Sequence, residues 1–232
     1  MRRSLLVQTC TLVAAGMMLL ALQGCLPARP APVVQTYQLN PLPDPERSAR
    51  PVYQPVPATL LVSTPKARAG FDTARMAYVQ RPHELQYFSR NQWTDPPTRM
   101  LVPPLTQALE QSRIWDAVVV MPSIVRGDYR LDIDNLMLQQ EFLQSPSQVH
   151  LSLRAQLIDV GEACVLGTTD FDVLQPAPSD DPYGGVLAAN QAAAKLLEQL
   201  VAWLSTYMNE SAQQGCEGSS PAANRTGLRE KT

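Results

Sequence analysis

The clearest pattern in the chain is a strict alternation of apolar and polar positions. Over residues 148–160, Val149, Leu151, Leu153, Ala155 and Leu157 take every second place, with His150, Ser152, Arg154 and Gln156 between them. Successive strand side chains point to opposite faces, so this segment predicts a half-buried antiparallel strand. A long strand is predicted before it, over 128–140. A third is predicted after it, over 163–174, with Gly161 and Glu162 as the turn. Residues 58–63 form an apolar run that predicts a buried strand. Residues 75–80 and 84–89 read as paired strands joined by Arg81-Pro82-His83, and 115–121 as another. Thr36 to Leu39 alternates briefly and reads as a short edge strand.

A second periodicity marks helices. Val186, Asn190, Ala193, Leu197, Leu200, Leu204 and Met208 recur at threes and fours, with Asp181-Pro182 as the start. An earlier helix is expected from Asp95 as N-cap and Pro96 at its first position, to about Ser112. Pro103 and Pro104 fall inside it. An internal proline costs about 3 kcal/mol, which predicts a kink or a main helix that starts at Pro104. Strands, helix, strands, helix is an α+β order: an antiparallel sheet with two helices packed on one face.

The N-terminus follows a different rule. Arg2 and Arg3 precede an uncharged, mostly apolar run over 5–22, which closes on Leu22-Gln23-Gly24-Cys25. That is a secretory signal ending in a lipobox rather than in an Ala-x-Ala site. The small Gly24 lets the peptidase reach the backbone. The Cys25 thiol is the nucleophile that accepts a diacylglycerol, and the freed α-amino group takes a third chain such as palmitate. The alternative is an uncleaved anchor, which Gln8, Thr9 and Thr11 weaken. Residues 1–24 are thus expected to be a signal peptide, and 25–57 a lipidated, proline-rich tether. A single domain is expected over 58–209, and a disordered tail over 210–232. Leu26, in place of Asp after the cysteine, favours the periplasmic side of the outer membrane.

Removing 24 of 232 residues leaves 208, enough for one domain with a core. The net charge of −2 and the lack of a basic run argue against nucleic acid. Cys10 leaves with the signal, so Cys164 and Cys216 remain as an even pair in an oxidising compartment. They are expected to form a disulfide; the alternative is one buried and one exposed thiol.

Candidate chemistry is sparse. No His/Cys spacing fits a metal, and no phosphate loop or nucleophile elbow is present, so no cofactor and no catalytic residue are expected. Asp128, Arg130, Asp132 and Asp134 share one strand face. They read as a solvated face with Arg130 between the acids, or as a divalent-ion site. His150 and Ser152 share a face too, but lack an acid to orient the imidazole. The aromatics Tyr78, Tyr87, Phe88, Trp93 and Trp115 form either the core or a groove for a partner or acyl chain.

One block carries more. Phe71-Asp72-Thr73 is followed by Met76 and Tyr78, then Leu85, Tyr87 and Phe88, then Trp93, Asp95-Pro96-Pro97 and Met100-Leu101. Leu109-Glu110 and the 115–119 strand complete it. In order and spacing this block resembles the ABC-type transport auxiliary lipoprotein family. The resemblance implies a non-enzymatic role beside an envelope lipid-transport system. The expected partners are a protein of the mammalian-cell-entry type and its permease and ATPase, with a homo-oligomeric ring as a further expectation. The block itself is expected to be structural. Rival readings are a lipoprotein of another assembly or secretion complex, and an envelope hydrolase.

Overall fold

The computed structural model describes residues 33–41 and 55–214, with side chains up to Met208. Eight strands and three helical segments follow in the order β1 (Gln35–Tyr37), β2 (Val56–Val62), β3 (Arg75–Val79), β4 (Leu85–Trp93), α1 (Pro97–Met100), α2 (Val102–Ser112), β5 (Trp115–Val120), β6 (Tyr129–Glu141), β7 (Gln148–Asp159), β8 (Cys164–Pro176) and α3 (Pro182–Gln214). The architecture is α+β, an open sheet with one bent helix and one C-terminal helix.

The long strand β6 is the spine. On one side it carries the antiparallel meander β6–β7–β8 along its whole length. On the other side two shorter groups share it. β2 pairs with its Tyr129 end, and β3 with its Glu141 end. β5 lies outside β2, and β4 then β1 lie outside β3. The pairings β6–β7, β7–β8 and β3–β4 are antiparallel. The pairings β1–β4, β2–β5, β2–β6 and β3–β6 are parallel, so the sheet is mixed. The parallel pairs join segments far apart in sequence, linked by helices or by loops that cross the sheet.

The inner face of the sheet holds the core. Leu60, Val62, Leu131, Ile133, Leu151, Leu153, Ala155 and Leu157 are buried under the helices. The covering stripe of α3 is small toward its start and large after it. Ala188, Ala189, Ala192 and Ala193 lead to Leu196, Leu200 and Leu204, all nearly without exposure. Alanine lets the helix sit close to the sheet, and the leucines fill the wider space beyond. α2 adds Leu105 and Leu109 on the same face.

The proline-rich helix breaks at Leu101. Pro97–Met100 makes one turn, and Val102–Ser112 makes the main helix with Pro103 and Pro104 in its first turn, where a missing N–H is harmless. The N-cap is Pro96, one residue later than expected. Asp95 instead pairs with Arg99 at 3.1 Å. Asp181 caps α3, its carboxylate accepting the Gly184 N–H at 2.8 Å.

Asn190 falls in the apolar stripe of α3 by spacing, yet it serves a polar purpose. Its Oδ1 accepts the Asn40 N–H at 2.5 Å, and its Nδ2 donates to the Val186 carbonyl at 2.9 Å and the Gln38 carbonyl at 3.5 Å. It therefore fastens the stretch after β1 to the helix. That stretch lies within the expected tether, and there it is part of the domain.

Candidate functional site

The helix-free face of the sheet carries a row of ionisable groups on β6, β7 and β8. At the Tyr129 end, Arg130 forks onto Asp132 with 3.0 and 3.1 Å bonds, and Asp132 also accepts the Ser63 hydroxyl at 2.5 Å. Asp128 accepts the Thr59 N–H at 2.8 Å. Asp134 stands opposite Arg154 in the β6–β7 register, and Arg154 forks onto Asp170 of β8 at 2.8 and 3.1 Å. The acids are thus engaged by arginine, hydroxyl and backbone donors. Among the described residues no three His, Cys, Asp or Glu groups are placed to hold a metal ion.

At the Glu141 end, His150 lies between two carboxylates. Its Nδ1 is 2.9 Å from Glu141 Oε1 and its Nε2 is 2.8 Å from Asp172 Oδ2. Burial works against the imidazolium, but the bonds and charges of Asp172 and Glu141 outweigh it, and the His150 pKa is raised. Burial likewise works against the Glu141 carboxylate. Donors from Gln139, His150 and Gln148 outweigh that, and the Glu141 pKa is lowered. Both ring nitrogens are taken, so the imidazole has no free nitrogen with which to activate Ser152. The two acids escaped the sequence reading because the β6–β7 register and the β7–β8 pairing bring them to His150 from 9 and 22 residues away.

The Phe71 to Pro97 block divides between the two faces. Phe71 crosses the outer face and packs on Ala77 and Met137, with Tyr87 beside them. The Tyr87 hydroxyl donates to the Gly70 carbonyl at 2.6 Å, and the Arg75 guanidinium sits 4.0 Å over its ring. Asp72 is exposed, and Thr73 accepts the Arg75 N–H at 3.2 Å. Met76 and Trp93 are buried on the inner face. Tyr78, Phe88 and Phe142 make an aromatic cluster there, with Tyr78 and Phe88 rings 4.4 Å apart. Pro97 is buried at the start of α1, next to Pro96 and Asp95. These residues tie a hairpin, a crossing loop and a helix start together.

The expected lipidation and cleavage residues Gly24 and Cys25 lie outside the described residues, as does Cys216. Cys164 lies at the start of β8. Among the described residues no helix is long and apolar enough to cross a membrane.

A family model for the ABC-type transport auxiliary lipoprotein component matches residues 37–201. The chain belongs to this family. The match runs from the end of β1 through most of α3, so it takes in strands β2 to β8 and with them the site. Membership places the chain among membrane-anchored envelope lipoproteins associated with transport. No curated protein matches the chain in sequence. Among solved structures, a crystal structure from Xanthomonas campestris is 27% identical. It covers 78% of this chain and 99% of its own, with a TM-score of 0.66. A crystal structure of an uncharacterized protein shares the fold at 16% identity and a TM-score of 0.55, covering 74% of this chain and 99% of its own.

Proposed function

We propose that the protein is the acylated docking component of an intermembrane lipid-transport machine. Cys25 would carry the acyl chains on the periplasmic side of the outer membrane. The folded domain would engage a mammalian-cell-entry-type protein, itself coupled to a permease and ATPase in the inner membrane. It works by binding, with no turnover of its own, and a ring of identical subunits is the expected working form. A Cys164–Cys216 bond would hold the chain after α3 against the start of β8.

The observation that carries this reading is the family match over residues 37–201 downstream of the Leu-Gln-Gly-Cys lipobox. Leu26 supports the outer membrane as the destination. The paired state of the outer-face acids and of His150 supports a binding rather than a catalytic role.

Affinity capture of the tagged full chain from native detergent extracts tests the reading. The mammalian-cell-entry-type protein of the same bacterium is expected among the captured partners. Its absence, with the tagged protein folded and acylated, would refute the assignment.

A further inference from the structure

The strand directions bring many termini to one end of the molecule. β3 ends level with Glu141, and β4 starts there, since Val79 pairs with both Glu141 and Leu85. β7 starts there and β8 ends there, because Gln148 pairs with Glu141 and with Pro176. α3 starts there as well, where Gln140 Nε2 donates to the Asp181 carbonyl at 3.1 Å. β1 runs parallel to β4 and pairs with its last residues, Gln35 with Asn91 and Tyr37 with Trp93, so the chain enters β1 from the side of this end, where Tyr37 reaches Tyr183.

This same end exposes large apolar side chains. Val34 stands at the entry, Leu85 on the β3–β4 hairpin, Leu143 on the β6–β7 loop, Leu174 near the end of β8, and Tyr183 and Leu187 on the first turns of α3. Tyr183 is 56% exposed and its ring lies 6.1 Å from that of Tyr37. The charges nearby are largely engaged: Arg81 pairs with Glu84, Asp180 accepts from Ser145 and Ser147, and Asp181 caps α3. Cys25 precedes Val34 by nine residues. At no more than about 3.6 Å per residue, they reach at most about 32 Å, whatever their conformation.

We propose that the Glu141 end of the domain rests on the bilayer that holds the acyl chains of Cys25, with Leu143, Tyr183 and Leu187 at headgroup level. The inference depends on acylation of Cys25, as set out above. Aromatic and aliphatic side chains with few free charges suit the interface of a neutral bilayer. The acids at this end give no preference for anionic lipid. A short covalent lead keeps this end within reach of the surface, so modest apolar contacts suffice to orient the domain. The opposite end then points away from the membrane.

The test uses mature acylated protein in phosphatidylcholine vesicles containing nitroxide-labelled lipid. Leu143→Cys, Leu187→Cys and Ile124→Cys variants each carry one environment-sensitive fluorophore. Ile124 is fully exposed and apolar but lies in the β5–β6 loop, away from this end, so it separates position from mere hydrophobicity. Quenching at 143 and 187 is expected to exceed that at 124 at least threefold, with no gain on adding anionic lipid. Equal, weak quenching at all three sites in protein that floats with the vesicles overturns the inference and leaves the anchor intact. Failure to float overturns the anchor itself, and the inference with it. If the 143 and 187 fluorophores become buried in Cys25→Ser protein without vesicles as its concentration rises, a second copy covers this end and the proposal fails.

Discussion

The two faces of strands β6 and β7 are built from the same residues in alternation, yet they follow different physics. The inner face holds Leu131, Ile133, Leu151, Leu153, Ala155 and Leu157, buried under α3. The outer face holds Arg130, Asp132, Arg154 and His150 in side-chain pairs that water still reaches. Burial of apolar surface is worth about 25 cal/mol per Å², and it is lost with a cavity when a core residue shrinks. Exposed ion pairs are worth little, because water screens them and side-chain entropy opposes them. The inner face should therefore decide whether the domain folds, and the outer face what it presents.

The largest effect is expected at the inner face. Leu200→Ala, at a position with no exposure, should lower unfolding stability by about 2–5 kcal/mol in urea titration. Next is Asn190→Ala. It removes the helix partner of the Asn40 N–H and the Gln38 carbonyl, both within reach of water, at about 0.5–1.5 kcal/mol. Proteolysis at residues 38–41 should rise in the same variant, which separates a loosened segment from a weakened core.

The trio on the outer face, with His150 and Glu141 largely buried and Asp172 exposed, should give a pH signature. The raised His150 pKa means that its contribution is full below the ordinary value of 6.5 and is lost as pH climbs through the higher folded value. The lowered Glu141 pKa means that its contribution is present above the ordinary 4.5 and is lost as pH falls through the lower folded value. Thermal midpoints should therefore fall between pH 6 and pH 8 more steeply in the wild type than in His150→Gln. Parallel slopes would show that the trio does not bias folding. The smallest effect is expected for Arg154→Gln, which should leave the midpoint where it is despite two well-formed bonds to Asp170.

The same contrast explains what the sequence made legible. β7 and its neighbours were readable because alternation is local and each antiparallel strand follows the last. The helical spacing of α3 was readable for the same reason. The parallel pairings of β2 and β3 with β6 were not, because they join segments dozens of residues apart and leave no local mark. Asn190 kept the apolar spacing while its amide served the chain beside it. Tyr87 and Phe88 read as one aromatic group, but adjacent strand positions must face opposite ways, and they serve different clusters. At the site, the face shared by Asp128, Arg130, Asp132 and Asp134 was legible from alternation. The acids flanking His150 depended on a register that only the folded sheet fixes.

Under the proposed function, this domain binds the transport machine from a lipid anchor. The most direct measurement is a titration of purified mammalian-cell-entry-type protein onto vesicles that carry the acylated full chain. Saturable binding is predicted, absent from bare vesicles and from vesicles mixed with Cys25→Ser protein, which stays in solution. Binding no greater than to bare vesicles would contradict the account.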